Sequence, residues 1–421
     1  MPDRLLQKDI MNNWKRTFAI IWSGQLFSTL SSSIVGFAVV FWLSIKTESP
    51  EVLASAMIAV LLPFIVLGMF TGVFVDRWDR KRTMIFADSF VALCSAVLGV
   101  LFYLEVTPLW LIYILLALRS AGNAFHMPAM QASVPLLAPE SELMRVAGIN
   151  QIIQSVSNIA GPALSAVAIS LLNMTYIMAF DVLGAAIACI SLLFVKIPNP
   201  EKKEDAKPDV WLEIKEGVRH LFMNRGITWL LVSVISITFF IVPIAVLYPL
   251  MTTTYFGGNA YQMGLVEMSW GIGMLIGGAI LSLKFMKTAN KVLCMNIVAI
   301  GLGITYWVMG VLPTSGFIIF VILTAVSGIA GSVYWSSFTV ILQTNIDPAA
   351  LGRVFSIYDS ISLLPTIPGM LAIGFFTEKI GLLNSFIIAG IATLVIGIIA
   401  SFVPSITKLG YTTKRGKEKD V

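Results

Sequence analysis

The stretch GVFVDRWDRKR, Gly72 to Arg82, decides how this chain is read. From Asp76 to Arg82 every residue except Trp78 is charged. Yet the 421-residue chain is 57% hydrophobic and only 12% charged, against about 25% charged in an ordinary soluble domain. Dense charge directly after an apolar run fits a short loop between two membrane-spanning segments, where the charges stay in water and the flanks enter hydrocarbon.

Outward from that loop, twelve apolar runs are long enough to span a bilayer: 17–45, 52–75, 83–104, 109–130, 146–171, 174–196, 227–250, 260–283, 291–312, 316–342, 353–376 and 382–404. Each approaches or exceeds the roughly 20 residues a spanning helix needs. The predicted fold class is an all-α membrane protein with twelve transmembrane helices in two six-helix bundles. The domains expected are an N-terminal bundle over 1–196, a cytoplasmic linker over 197–226 and a C-terminal bundle with a cytoplasmic tail over 227–421. In the linker, Trp211, Ile214, Val218, Leu221 and Phe222 share a helical face, which predicts an interfacial amphipathic helix or an extension of the seventh span.

Orientation follows from the basic residues. With both termini in the cytoplasm, 25 of the 28 Lys and Arg fall inside, Lys46 and Lys379 fall outside, and Arg119 lies within the fourth span. The prediction is a multi-pass membrane protein with both termini in the cytoplasm. Gly72–Arg82 becomes the cytoplasmic loop between spans two and three. Three cysteines, all in apolar runs, and two histidines argue against a disulfide framework and a Cys- or His-built metal site. No phosphate loop or nucleophile elbow is visible, so no enzymatic activity, metal or cofactor is expected.

The halves repeat weakly. GNAFHMPAMQASVPLLAPESELMRVAGI, from Gly122, is similar to GSVYWSSFTVILQTNIDPAALGRVFSI, from Gly331, with Pro139 matching Pro348 and Arg145 matching Arg353. Parallel six-helix repeats build one large transporter class.

On these grounds the chain resembles the major facilitator superfamily over essentially its whole length. Gly72, Asp76, Arg77, Arg80 and Lys81 match the superfamily's G-x-x-x-D-R-x-x-R-[KR] signature, with Asp79 where Gly is usual. Arg119 matches the arginine of a second motif, and Gly161-Pro162 resembles the Gly-Pro motif of the antiporter branch. DRWDRKRTMIFAD, FDVLGAAIA, EMSWGIGMLIGG and GRVFSI are most similar to bacterial macrolide-efflux-type permeases. The resemblance implies two pseudo-symmetric bundles, alternating access, proton-coupled drug efflux and a single-chain carrier acting as a monomer in a bacterial cytoplasmic (inner) membrane. It also implies that the loop between spans two and three, with Asp88 and with Gly352-Arg353 near the start of span eleven, forms a gate on the cytoplasmic side.

The residues add their own candidates. An ionised side chain at the bilayer centre costs at least about 2.5 kcal/mol, so each intramembrane charge suggests function. Glu267, Asp181 and Asp359, in that order, are expected to carry protons, with Arg119 as a coupling or structural partner. Gln25, Asn123, His126, Gln151, Gln154 and Asn158 form polar stripes suited to a cavity, and Trp270, Tyr334 and Trp335 could wall it. Helix packing is the plain alternative for the small polar residues. A pocket of this kind suits an amphipathic organic substrate in a lipid bilayer, with no role for nucleic acid. Rival readings are a nutrient uptake permease or facilitator, a lipid flippase or scramblase, and a membrane sensor that does not transport.

Overall fold

The computed structural model describes residues 14–75, 78–137, 139, 142–195, 197, 219, 222–281, 290–346, 354, 358 and 362–415. The helices are α1 Trp14–Thr47, α2 Pro50–Val75, α3 Arg80–Tyr103, α4 Leu109–Leu137, α5 Leu143–Leu171, α6 Met174–Leu193 and α7 Arg225–Val246, followed by α8 Ala260–Leu281, α9 Lys291–Gly310, α10 Phe317–Asn345, α11 Thr366–Ile380, α12 Leu382–Phe402 and α13 Pro404–Arg415. Among the described residues eleven helices are long and apolar enough to cross a membrane, and none of these residues is in a strand. The twelfth predicted span, 353–376, is represented by α11, which is 15 residues long and runs four residues further. Residues 353, 355–357 and 359–361 of that span lie outside the described set. The predicted amphipathic linker helix lies outside it too, apart from Arg219, Phe222 and Met223.

Local chemistry sets the helix ends. Asp79, where the signature usually has Gly, is the N-cap of α3: its carboxylate accepts from the Arg82 backbone N–H at 2.8 Å. Asn290 caps α9 in the same way, accepting from Val292 and Leu293 at 3.0 and 3.2 Å. Gly381 joins α11 to α12 at φ 87° and ψ 156°, a conformation essentially reserved for glycine. Past α7, Pro249 and a π-helical turn at Met251–Tyr255 interrupt the regular ladder. Thr252 and Thr254 there return their hydroxyls to the carbonyls of Tyr248 and Leu250 at 2.8 and 2.7 Å.

The chain forms two compact units: Met1–Leu43 with Ala56–Lys207, and Ser44–Ser55 with Pro208–Val421. Grouping of Ser44–Ser55 with the second unit has no signature in the hydropathy pattern. The first unit's core gathers Phe18, Ile21, Trp22, Met84, Ala129, Val146 and Leu192. The second gathers Leu230, Val234, Met295, Phe338, Ile341 and Tyr358. Phe86, Leu193 and Phe402 are among many large apolar side chains left exposed. Lipid, not water, must cover such side chains on spanning helices, and polar groups move inward instead.

The C-terminal tail carries a helix of its own: α13 starts at Pro404, favoured at a first helical position, and continues to Arg415. Ile406 and Leu409, one turn apart, are buried in the second unit's core. The tail's apolar spacing is short, and only packing against α7 makes it visible.

Candidate functional site

Within the first unit the charged residues converge. Asp181 of α6 faces Arg119 of α4, with Arg119 Nη2 2.6 Å from Asp181 Oδ2. Ser95 of α3 donates to the same oxygen at 2.5 Å, and Ser32 of α1 donates to Oδ1 at 2.5 Å. Four helices thus contribute to one carboxylate. Desolvating an ion pair is costly, and further hydrogen bonds are what allow such a pair to persist.

A second cluster lies about two turns along α3 and α4. His126 Nε2 is 3.5 Å from Asp88 Oδ1, and Ser28 of α1 donates to that oxygen at 3.4 Å. All three residues are buried. Gln25, one turn before Ser28, is 0% exposed, and neither amide atom has a partner among the described residues. Asp88, assigned from sequence to the gate, and His126, assigned to the cavity, therefore belong to one buried pair.

Two basic residues of the signature, Arg80 and Lys81, hydrogen-bond within the first unit. Arg80 Nη1 donates to the Ala132 carbonyl at 2.5 Å, in the last turns of α4. Lys81 Nζ donates to the Val195 and Leu193 carbonyls at 2.8 and 3.4 Å, at the end of α6. Cations are favoured at helix C-termini, where the last carbonyls lack helical partners. Gly72 is in the last turn of α2. Asp76, Arg77, Gly352, Arg353 and Asp359 lie outside the described residues.

Asn123 on α4 and Asn158 on α5 are exposed, and Gln154 on α5 is half-buried. Gln151 lies on α5. A side-chain amide facing hydrocarbon would have no hydrogen-bonding partner, so these faces of α4 and α5 suit water better than lipid. On α1, Trp22 Nε1 donates to Asn150 Oδ1 of α5. Gly161 and Pro162 are buried in α5. A Cβ at Gly161 would overlap Ser33 of α1, so this glycine permits the close approach of the two helices. Its observed role is packing.

In the second unit Glu267 is half-buried on α8. It has no hydrogen bond or ion pair with any described residue. In the same unit the phenols of Tyr248 and Tyr306 hydrogen-bond each other at 2.9 Å, with Tyr248 packed against Phe320 and Phe386. Trp270, one turn on from Glu267, is half-buried. Tyr334, expected as a cavity wall, is 2% exposed and packs in the hydrophobic core, with Trp335 edge-on against it at 5.8 Å. The aromatic step from one α10 residue to the next carries them to different faces, and only Trp335 keeps partial exposure.

Sequence reasoning missed Asn150, Tyr248 and Tyr306. Each acts through a partner more than 50 residues away, and no local spacing marks such pairs.

The transmembrane secretion effector family matches residues 13–412. Macrolide efflux protein A of Streptococcus pyogenes is 38% identical over 400 residues, covering 94% of this chain and 98% of that protein. Macrolide efflux protein A of Enterococcus faecalis is 40% identical over 305 residues, covering 72% and 94%. Among solved structures, a D-xylose–proton symporter aligns with a TM-score of 0.71 at 16% identity, covering 93% of this chain and 98% of that one. A bacterial homologue of the iron transporter ferroportin aligns with a TM-score of 0.69 at 15% identity, covering 94% and 98%. At such identities the structural likeness speaks for the fold alone. The chain is a multi-pass membrane transporter with the major facilitator fold, and it belongs to the transmembrane secretion effector family.

Proposed function

We propose that this transporter exports amphipathic organic compounds of the macrolide kind from a bacterial cell in exchange for protons, by alternating access. The observation that carries the reading is the 38% identity to Macrolide efflux protein A of Streptococcus pyogenes over 94% of this chain. The chemistry agrees with it. Exposed amides on α4 and α5 of the first unit offer hydrogen bonds to a ligand that is partly oily and partly polar. Few basic side chains accompany them, which disfavours a multiply anionic substrate.

Glu267 is the proposed proton carrier of the second unit. Its charge has no cation beside it among the described residues, whereas Asp181 has Arg119 at 2.6 Å. Asp359 remains a third candidate. Asp76 is proposed as the gate residue of the cytoplasmic loop, with Gly352-Arg353 at the start of span eleven as its counterpart. The protein is proposed to act as a monomer in the cytoplasmic membrane with both termini inside.

The test is transport in proteoliposomes. Purified protein is reconstituted, a pH gradient is imposed, and accumulation of a radiolabelled macrolide is followed beside a panel of sugars, nucleosides and fluorescent phospholipids. Gradient-driven macrolide accumulation supports the reading. Sugar or nucleoside uptake alone, or phospholipid movement without a gradient, would replace it with the permease or scramblase reading.

A further inference from the structure

We propose that Asp88 and His126 form a proton-binding site inside the first unit, separate from Glu267 in the second. Asp88 lies on α3 and His126 on α4, with Oδ1 and Nε2 3.5 Å apart. Their side chains are 8% and 10% exposed. Ser28 of α1 donates to Asp88 Oδ1 at 3.4 Å. The other carboxylate oxygen, Oδ2, is buried with no hydrogen-bond partner among the described residues.

The contrast with Asp181 carries the argument. Asp181 is compensated by an arginine, which does not lose its proton in proteins, and both of its oxygens are occupied. That carboxylate has a permanent cation beside it and no unoccupied oxygen. Asp88 is compensated by a histidine, the side chain whose charge changes closest to neutral pH. With one shared proton the Asp88–His126 pair is net neutral, as carboxylate with imidazolium or as acid with imidazole. Without it the pair carries one negative charge in an apolar bundle. Binding and release of a single proton therefore switches the charge of the bundle interior, and the free Oδ2 offers that proton a place.

The surrounding groups leave this switch to the pair itself. From α1 the pair meets Ser28, with Gln25 one turn away, and neither titrates. From α6 comes Cys189, whose Sγ lies 3.7 Å from Oγ of Ser89, the residue after Asp88. Arg119 and Asp181 stand about two turns away and neutralise each other. The only charged residue of α2 is Glu51, at its opposite end, and that of α5 is Arg145, in its first turn.

The inference extends the proton-exchange reading, but its test is independent of transport. The chain has two histidines, so His220→Gln leaves His126 as the sole imidazole. This protein is labelled with 15N-histidine, placed in phospholipid nanodiscs without substrate or gradient, and titrated by NMR from about pH 5 to about pH 9. The expected result is a His126 signal that changes protonation within that range. Asp88→Asn should move its midpoint by about one pH unit or more, a tenfold change in proton affinity. If that variant fails to fold, Ser28→Ala replaces it, with a midpoint shift of at least about 0.3 unit, or twofold. A His126 signal that keeps one protonation state throughout overturns the proposal, as does a midpoint unmoved by the substitutions. Failure of macrolide accumulation in proteoliposomes would overturn the export reading and leave this result standing.

Discussion

Arg119 and Asp181 hold each other at 2.6 Å, with side chains only 7% and 1% exposed, and two serines from two further helices complete the carboxylate. The pair is therefore a fixed joint among α1, α3, α4 and α6. Removing one partner of such a pair leaves an uncompensated buried charge, at a cost of about 3–5 kcal/mol. Asp181→Asn should sharply lower the melting temperature in detergent, and Arg119→Gln should do the same. Combining the two should restore most of the loss, because no lone charge remains. Melting curves of the three variants check this; additive losses would show that the pair does not stabilise the bundle as a unit.

Glu267→Gln fixes the neutral form of the side chain in the second unit. Gradient-driven accumulation of macrolide should fall to background, while equilibrium binding of the same compound in detergent is retained. Asp181→Asn and, separately, Asp359→Asn are the comparisons. Full accumulation in all three variants would remove these carboxylates from the coupling path.

Gly161 lets α5 approach α1 at Ser33. Gly161→Leu should destabilise the first unit by about 1–3 kcal/mol, the usual range for overpacking. Combining it with Ser33→Gly should recover part of that loss, which chemical denaturation of the purified protein would measure. No recovery would place the clash elsewhere.

The proposed cytoplasmic position of the loop between α2 and α3 can be tested from outside the cell. In a variant lacking Cys94, Cys189 and Cys294, single cysteines at Trp78 and at Lys203 should resist membrane-impermeant thiol reagents in intact cells and react after permeabilisation. Ready labelling of both in intact cells would reverse the proposed orientation.

Asp76→Asn should increase cytoplasmic labelling of a reporter cysteine at Asn123 and reduce transport, with macrolide binding preserved. Loss of binding with unchanged labelling would assign Asp76 to a ligand site instead of a gate.

Much of this architecture is legible in the residues. Hydropathy runs mark the spans, since a helix must keep every backbone group satisfied in lipid and surround itself with apolar side chains. The charged run from Asp76 to Arg82 marks a membrane boundary, because six charges in seven positions cannot be drawn into hydrocarbon. Arg119, Asp181 and Glu267 stand out for the same reason: each is a charge where charge is expensive. What the sequence could not contain is pairing. Arg119 and Asp181 are separated by 62 positions, and Ser32 and Asp181 by 149. Which carboxylate receives an arginine, which a histidine and which neither depends on how the helices rotate about their axes, and a helix that is apolar nearly all round carries little record of that rotation. Tertiary packing made the choice. It joined Asp88 to His126, buried Tyr334 in the core and left Glu267 without a cation among the described residues.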